Sequence, residues 1–507
     1  MQSKTLQRYD GLGEDCEYVA TSLKKEERMN KLSFPTKLAY WVGQVAESLK
    51  NTTLGLFLLF YYNQVLGLSG TLCGLAIVIA IVLDAVSDPV MGSLSDGWKS
   101  KRWGRRHGFM YAAAIPMALS FFFLFNPLVS STIGLFIWLV VFSILTRIFM
   151  TLYSVPHMAM GAEITDDYHE RTSIVAGRGI FGIIGTLLTY GIGFGIFFKS
   201  SEAFENGQLD PSAYAPYAAT LAVLMVITIW LSAWGTRHLI PSMKQPKGAL
   251  KLSIRSVFSD VMVAFQNHSF RWLVLGFVII STPVGVAAAL HLYKGTFFWQ
   301  VSSAQMPFLL AATPLGSVFG LILAPLIGRR IQKKELVMWS PMLWLFFTAT
   351  PVCLFYADLW PTLGTTTSLF TLFLFAFTGG IALAQLGVSV GSMLADIADE
   401  HDLNTGQRQE GVFFGASAFC SKATGGIGNA VGGIALDLIN WPTATAKVAA
   451  DVPAETLFKL AMFAGPGLLL FFIPAVWCFK HYSLTRERHA SIQQELAARN
   501  SVPASEV

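Results

Sequence analysis

The sequence predicts an all-α membrane protein with twelve spanning helices arranged as two six-helix bundles. Three observations carry that reading. The 507-residue chain is 53% hydrophobic and only 13% charged, whereas soluble domains carry about 25% charged residues. Its apolar stretches are continuous, not alternating, and each approaches the roughly 20 residues that a helix needs to cross a bilayer. Its Lys and Arg residues gather in every second loop. An ordinary cytosolic enzyme, a disordered chain and a nucleic-acid binder are excluded by this composition.

The spans fall near 36–62, 70–95, 108–126, 132–160, 173–198, 216–240, 270–298, 304–327, 336–357, 365–396, 409–438 and 455–480. Around them the chain divides into a tail (1–33), a first bundle (34–240), a central loop (241–268), a second bundle (269–482) and a second tail (483–507). The first thirty residues are polar with mixed charge and contain no cleavable signal peptide, so the first span is expected to act as its own insertion signal. The five cysteines are widely spaced without a CxxC pair and are read as small buried hydrophobes.

Basic residues precede span 1 (Lys24, Lys25, Arg28, Lys31, Lys37). They recur between spans 2 and 3 (Lys99, Lys101, Arg102, Arg105, Arg106), in the middle loop (Lys244, Lys247, Lys251, Arg255) and between spans 8 and 9 (Arg329, Arg330, Lys333, Lys334). The intervening loops have almost none, so both termini are expected in the cytoplasm, of a bacterial inner (plasma) membrane. The chain also repeats itself. Ala162-Glu163-Ile164-Thr165-Asp166-Asp167 after span 4 returns as Ala395-Asp396-Ile397-Ala398-Asp399-Glu400 after span 10, and Gly104-Arg105-Arg106 returns as Gly328-Arg329-Arg330. Each pair lies six spans apart, the arrangement of the major facilitator transporters.

Longer motifs sharpen this. Lys37-Leu38-Ala39-Tyr40 with Gly43, Phe60-Tyr61-Tyr62 through Gly67-Leu68-Ser69, and Asp84-Ala85-Val86-Ser87-Asp88-Pro89 with Met91-Gly92 mark the first two spans. Lys101-Arg102-Trp103-Gly104-Arg105-Arg106, Val155-Pro156, Glu170-Arg171-Thr172 with Arg178, and Gly406, Arg408, Glu410-Gly411 with Lys422 follow. Together they resemble the glycoside–pentoside–hexuronide:cation symporters over nearly the whole chain beyond the N-terminal tail. The resemblance implies a cation-coupled carrier that works by alternating access, with a small-molecule solute, a coupling cation (Na⁺ or H⁺, with Li⁺ a third option), no cofactor, and function as a monomer in the lipid bilayer. The vertebrate lysophospholipid symporters belong to the same wider group.

Asp84 and Asp88 are four residues apart and share one helical face. Carboxylates inside an apolar span are costly and mark ion or proton pathways. Two together oppose each other's ionisation, which favours an added proton or a shared cation. The resemblance implies that Asp84 and Asp88 bind the coupling cation (as metal ligands if it is Na⁺), with Thr151 near it. Lys422 lies in span 11, and a buried ammonium needs an acid; Asp84 or Asp88 is the expected partner. Arg178 matches a family arginine, for which a structural ion pair is equally open.

The resemblance also shows departures. In the melibiose permease two further aspartates hold the sugar; the matching positions here are Ser48 and Ser154, and Met158 replaces an expected tryptophan. Span 4 instead offers Arg147 on the face of Thr151 and Ser154, and span 1 offers Glu47, Lys50 and Asn51. Fewer acids and a guanidinium favour an anionic solute; a pairing of Arg147 with Glu47 or another acid is the alternative. Ser48, Asn51, Arg147, Ser154, Met158, Arg178 and Lys422 form the expected solute-binding set. His157 and His291 are read as packing residues, with proton carrying the alternative, and Tyr293 and Trp299 as interface aromatics, with stacking on a sugar face the alternative. Asp96, Arg105, Glu163, Asp166, Asp396 and Arg408 are gate candidates, with the acidic runs latching the halves through the basic loops. An amphipathic lipid or drug-like solute is the alternative cargo. A membrane enzyme or receptor is a distant third, because no nucleophile–base set, metal-ligand spacing or nucleotide loop is present.

Overall fold

The computed structural model describes residues 32–98, 100, 102–165, 167–243, 262–406 and 410–501. Among these residues there is no strand. The long helices are α1 (Phe34–Leu56), α2 (Gly70–Gly97), α3 (His107–Leu124), α4 (Thr132–Glu163), α5 (Tyr168–Ile192) and α6 (Tyr214–Thr236). They continue with α7 (His268–Ala289), α8 (Met306–Arg330), α9 (Lys333–Tyr356), α10 (Thr366–Thr405), α11 (Glu410–Leu438) and α12 (Ala454–Lys480), the last broken by a 3₁₀ turn at Pro466–Phe471. Ten candidate spans are long and apolar enough to cross a membrane. Helices α1 and α11 do not meet that measure: α1 carries Lys37, Glu47 and Lys50, and α11 is rich in Gly and carries Lys422. They take their places through packing, α1 against α5 and α6, and α11 against α7 and α2.

Local chemistry sets the helix ends. Ser33 caps α1 from just before Pro35, and Ser131, Asp167, Asn267 and Thr365 cap α4, α5, α7 and α10, their side chains accepting from backbone N–H groups. The acidic repeat Ala395–Glu400, expected after span 10, lies inside α10, which runs on until Gly406 ends it at φ 73°. Nothing before that glycine breaks the helix, whereas Asp167, the last residue of the first copy, caps a new helix. The expected second tail also holds a helix, α13 (Arg486–Ser501), pinned to α10 by His489–Asp399 (3.1 Å) and Arg499–Asp402 (2.7 Å).

The two halves share one contact plan. In the first, α1 packs on α5 and α6, α4 on α2 and α3, and α3 on α6; in the second, α7 packs on α11 and α12, α10 on α8 and α9, and α9 on α12. Between halves, α2 lies along α11 for much of its length, while the symmetry-equivalent pair, α5 and α8, touches only slightly. The α2–α11 seam is close because Gly70 faces Gly433: a Cβ on either would run into the other's carbonyl oxygen.

The end of the molecule opposite the basic loops is sealed by hydrogen bonds between the halves. Tyr293 Oη donates to Asn63 Oδ1 (2.7 Å), Trp441 Nε1 to Gln64 Oε1 (2.5 Å), and Gln64 Nε2 to the Ala446 carbonyl (2.9 Å). Gln208 contacts Thr296 and Ser303 at 2.8 and 2.6 Å. Asp437 of α11 caps α2 across the seam, accepting from Ser69 Oγ (2.6 Å) and the Gly70 and Thr71 N–H groups (2.9 and 2.8 Å).

Candidate functional site

Helices α2 and α4 meet at a cluster of charges, and each is interrupted there by proline, Pro89 in α2 and Pro156 in α4. Proline has no N–H, so each frees a carbonyl one turn back and lets the helix bend. Thr151 Oγ1 stands 3.0 Å from Asp84 Oδ1 and 2.9 Å from Asp88 Oδ1. A hydroxyl has one proton, so Thr151 can donate to only one carboxylate at a time. The other oxygen contact needs a second proton on a carboxyl or a cation among the three oxygens. From the opposite half, Lys422 on α11 ion-pairs with Asp88 and reaches Asp84 Oδ2 at 3.4 Å. Arg147 Nη1 lies 3.7 Å from Asp84 Oδ2.

The expected cation set, Asp84, Asp88 and Thr151, is therefore brought together with Lys422. Arg147 joins it, and its Nε has no hydrogen-bond partner, so part of the guanidinium remains unspent. Buried Lys50, which composition alone marked only as a charge within a span, lies within electrostatic reach of Asp84 and Arg147. Glu47 is within reach of Lys50 as well, so three carboxylates face three cationic side chains.

Other expected solute ligands lie elsewhere. Ser48 is buried against α5, where a Cβ on Gly185 would come 2.7 Å from the Ser48 Cβ, so it serves helix packing within the first half. Arg178 stands beside the Tyr40 phenol, also within the first half. Ser154 is half-buried and Met158 is 48% exposed; neither touches the cluster by a hydrogen bond. Asn51 is exposed and lines a separate cavity, described below. His157 stacks between Tyr40 and Tyr153 and contacts the Tyr40 carbonyl oxygen through Nε2 (2.9 Å), a packing role as expected. Tyr293 and Trp299 are buried, not interfacial.

The gate candidates pair within halves. Arg106 joins Asp96 and Glu163 at 2.7 Å each, Arg105 joins Glu163 at 2.5 Å, and Asp396 joins Lys333 at 2.6 Å. Among the described residues a latch across the halves is not the pairing seen. Helix α4 packs on both α2 and α3, so its acidic end meets the basic loop of its own half first. Asp166 and Arg408 lie outside the described residues.

The profile of the MFS/sugar transport protein family matches residues 39–486. The chain belongs to that family. Its all-α fold is the major facilitator fold, and it is a multi-pass membrane transporter. A putative glycoside/cation symporter of Escherichia coli is 25% identical, over 92% of this chain and 96% of its own. A sodium-dependent lysophosphatidylcholine symporter of Danio rerio is 22% identical, over 96% and 92%. The crystal structure of a D-xylose-proton symporter superposes with a TM-score of 0.56 at 14% identity, covering 89% of this chain and 99% of that one, a likeness of fold. Sequence reasoning missed Lys50 as a cluster member and the cross-half hydrogen bonds; their only signal was the presence of polar residues in or beside apolar spans.

Proposed function

We propose that the chain is a cation-coupled symporter of a sugar or sugar-derived solute, anionic in form, working by alternating access between the two halves. The observation that carries this reading is the single Thr151 hydroxyl held between Asp84 and Asp88, with Lys422 reaching the same carboxylates from the other half. A proton or Na⁺ arriving there competes with Lys422 for the carboxylates and loosens a tie between halves. Occupancy is thereby coupled to the seam, and by linkage solute and cation strengthen each other's binding. Arg147, only 3.7 Å from Asp84 yet with its Nε unspent, supports an acid on the solute. The basic loops support a topology with both termini in the cytoplasm; in this reading the carrier sits in a bacterial inner membrane and acts as a monomer.

A specific observation supports the alternative cargo, an amphipathic lipid or drug-like molecule: the cavity lined by Asn51 is largely apolar, and the Danio rerio relative is named for lysophosphatidylcholine. Reconstitution in liposomes with imposed Na⁺ or pH gradients tests both. Glycosides, uronates and lysolipids are offered in turn. Asp84→Asn and Asp88→Asn should each abolish gradient-driven accumulation while leaving exchange down a solute gradient measurable. Normal accumulation by both variants would place coupling elsewhere. Uptake of neutral sugars only, undiminished in Arg147→Ala, would remove the anionic reading.

A further inference from the structure

A cavity of about 470 Å³ opens between α1, α5 and the upper parts of α7–α10, within the size range of small-molecule sites. Its walls are mostly apolar and aromatic, with Trp299, Trp344, Phe347, Phe375 and Leu383 prominent. Lys294 and His291 interrupt them. Both stand where α7 gives way to a π-turn, Lys294–Phe298. Lys294 Nζ donates to the Ala464 carbonyl (3.1 Å), which the break in α12 leaves free. Among the described residues no carboxylate pairs with Lys294, and His291 Nε2 has no hydrogen-bond partner. An ammonium has three donors, and one carbonyl engages one of them. An unpaired cation in an apolar site is costly until an anion reaches it.

We infer that this cavity is a binding site for an organic anion with an aromatic or alkyl body, its acid held by Lys294 and His291 and its body against Trp344, Phe347 and Phe375. A bare sugar fits poorly, because its ring of hydroxyls would face these apolar walls with few partners. The site is distinct from the Asp84–Asp88 cluster: none of Asp84, Asp88, Arg147, Thr151 and Lys422 lines the cavity. It rests on the same cavity as the alternative, amphipathic cargo, and is independent of the Asp84–Asp88 coupling site, since binding needs no gradient.

The test uses the full chain in lipid nanodiscs, with 4-phenylbutyrate and its neutral analogue 4-phenylbutyramide as probes, followed by tryptophan fluorescence and calorimetry. The acid should bind at least about tenfold more tightly than the amide, as expected for a hydrogen bond to a charged group. Lys294→Gln should erase that preference and leave amide binding unchanged, and Lys294→Arg should keep it. Leu383→Trp, which fills the cavity, should weaken both probes. Arg147→Gln should alter neither. A preference for the acid that survives in Lys294→Gln, one lost in Arg147→Gln instead, or no binding of either probe by the folded parent protein would each overturn the inference. Failure of gradient-driven uptake in liposomes would leave it standing, and failure of probe binding would leave the coupling site standing.

Discussion

The ends of α1 and α7 are built alike and filled differently. Each helix stops at one residue, Phe57 or Leu290, resumes for three residues and closes in a five-residue π-turn, Tyr61–Val65 in the first half and Lys294–Phe298 in the second. In the first half that turn is plugged. Phe57 lies 5.1–5.7 Å from the rings of Phe194, Phe198 and Tyr217, and Tyr61 stacks on Tyr214 at 4.2 Å. In the second half the position of Tyr61 is taken by Lys294, and the space beside it is the cavity. The charged cluster shows the reverse bias: Asp84, Asp88, Arg147 and Lys50 all belong to the first half, with Lys422 the one contribution from the second. One duplicated plan has thus been divided, with fixed packing behind the charges on one side and room for a body on the other.

The largest expected effect tests that division directly. Phe57→Ala removes a ring that is fully buried and hemmed in by other rings, so it should cost about 3–5 kcal/mol of stability. Trp344→Ala enlarges a cavity already present, where fewer contacts are lost, and should cost less than about half as much. Denaturant titration in micelles compares the two; equal losses would mean that the second half is as tightly filled as the first.

A smaller effect is expected where the halves meet. Gly433→Leu places a side chain against the carbonyl of Gly70 and should cost about 1–3 kcal/mol of the sealed arrangement, seen as increased labelling of a cysteine placed at Asn206, beside the loop of the other half. An unchanged labelling rate would mean that the α2–α11 seam is not needed for closure. Asp437→Ala should act in the same direction but more weakly, by about 0.5–2 kcal/mol, because it removes an N-cap. That cap is unusual in belonging to the other half: Ser69, the residue at the cap position, makes no capping bond of its own.

The same division explains what could be seen in the sequence. The spans, the six-helix repeat and the Asp84–Asp88 pair were legible, because apolar length, loop charge and an i,i+4 spacing are local. Lys422 could be matched to the carboxylates because an ammonium within an apolar span is expected to find an acid, although its side chain is 41% exposed in the structure. Ser48 could not be placed, since the packing of α1 against the α5 glycines is a tertiary fact. Nor could the gate acids, whose partners depend on which loop each helix end meets. Lys294 was invisible as a site residue for a physical reason: among the described residues it pairs with no acid, and the void beside it arises from six helices at once.

The smallest effect concerns the loop that closes the far end. After Trp441 this loop passes over the first half, its Ala446 carbonyl accepting from Gln64, and Asn206 Nδ2 reaches the Lys447 carbonyl at 3.5 Å. Asp451 holds its turn by accepting from the backbone N–H groups of Lys447 (2.7 Å) and Val448 (3.0 Å). Those two donors, Lys447 first, hold its carboxyl below the ordinary carboxylate value. The charged form is therefore the one the folded loop favours. The contribution is fully present above the ordinary value, about pH 4, and is lost as the pH falls through the depressed one. The turn should loosen only in acid and stay unchanged between about pH 5 and 8, seen as faster hydrogen exchange at the Lys447 and Val448 amides after correction for intrinsic rates. Asp451→Asn should show that looseness at every pH. A neutral-range change in exchange at these two amides would break the assignment of the turn to Asp451.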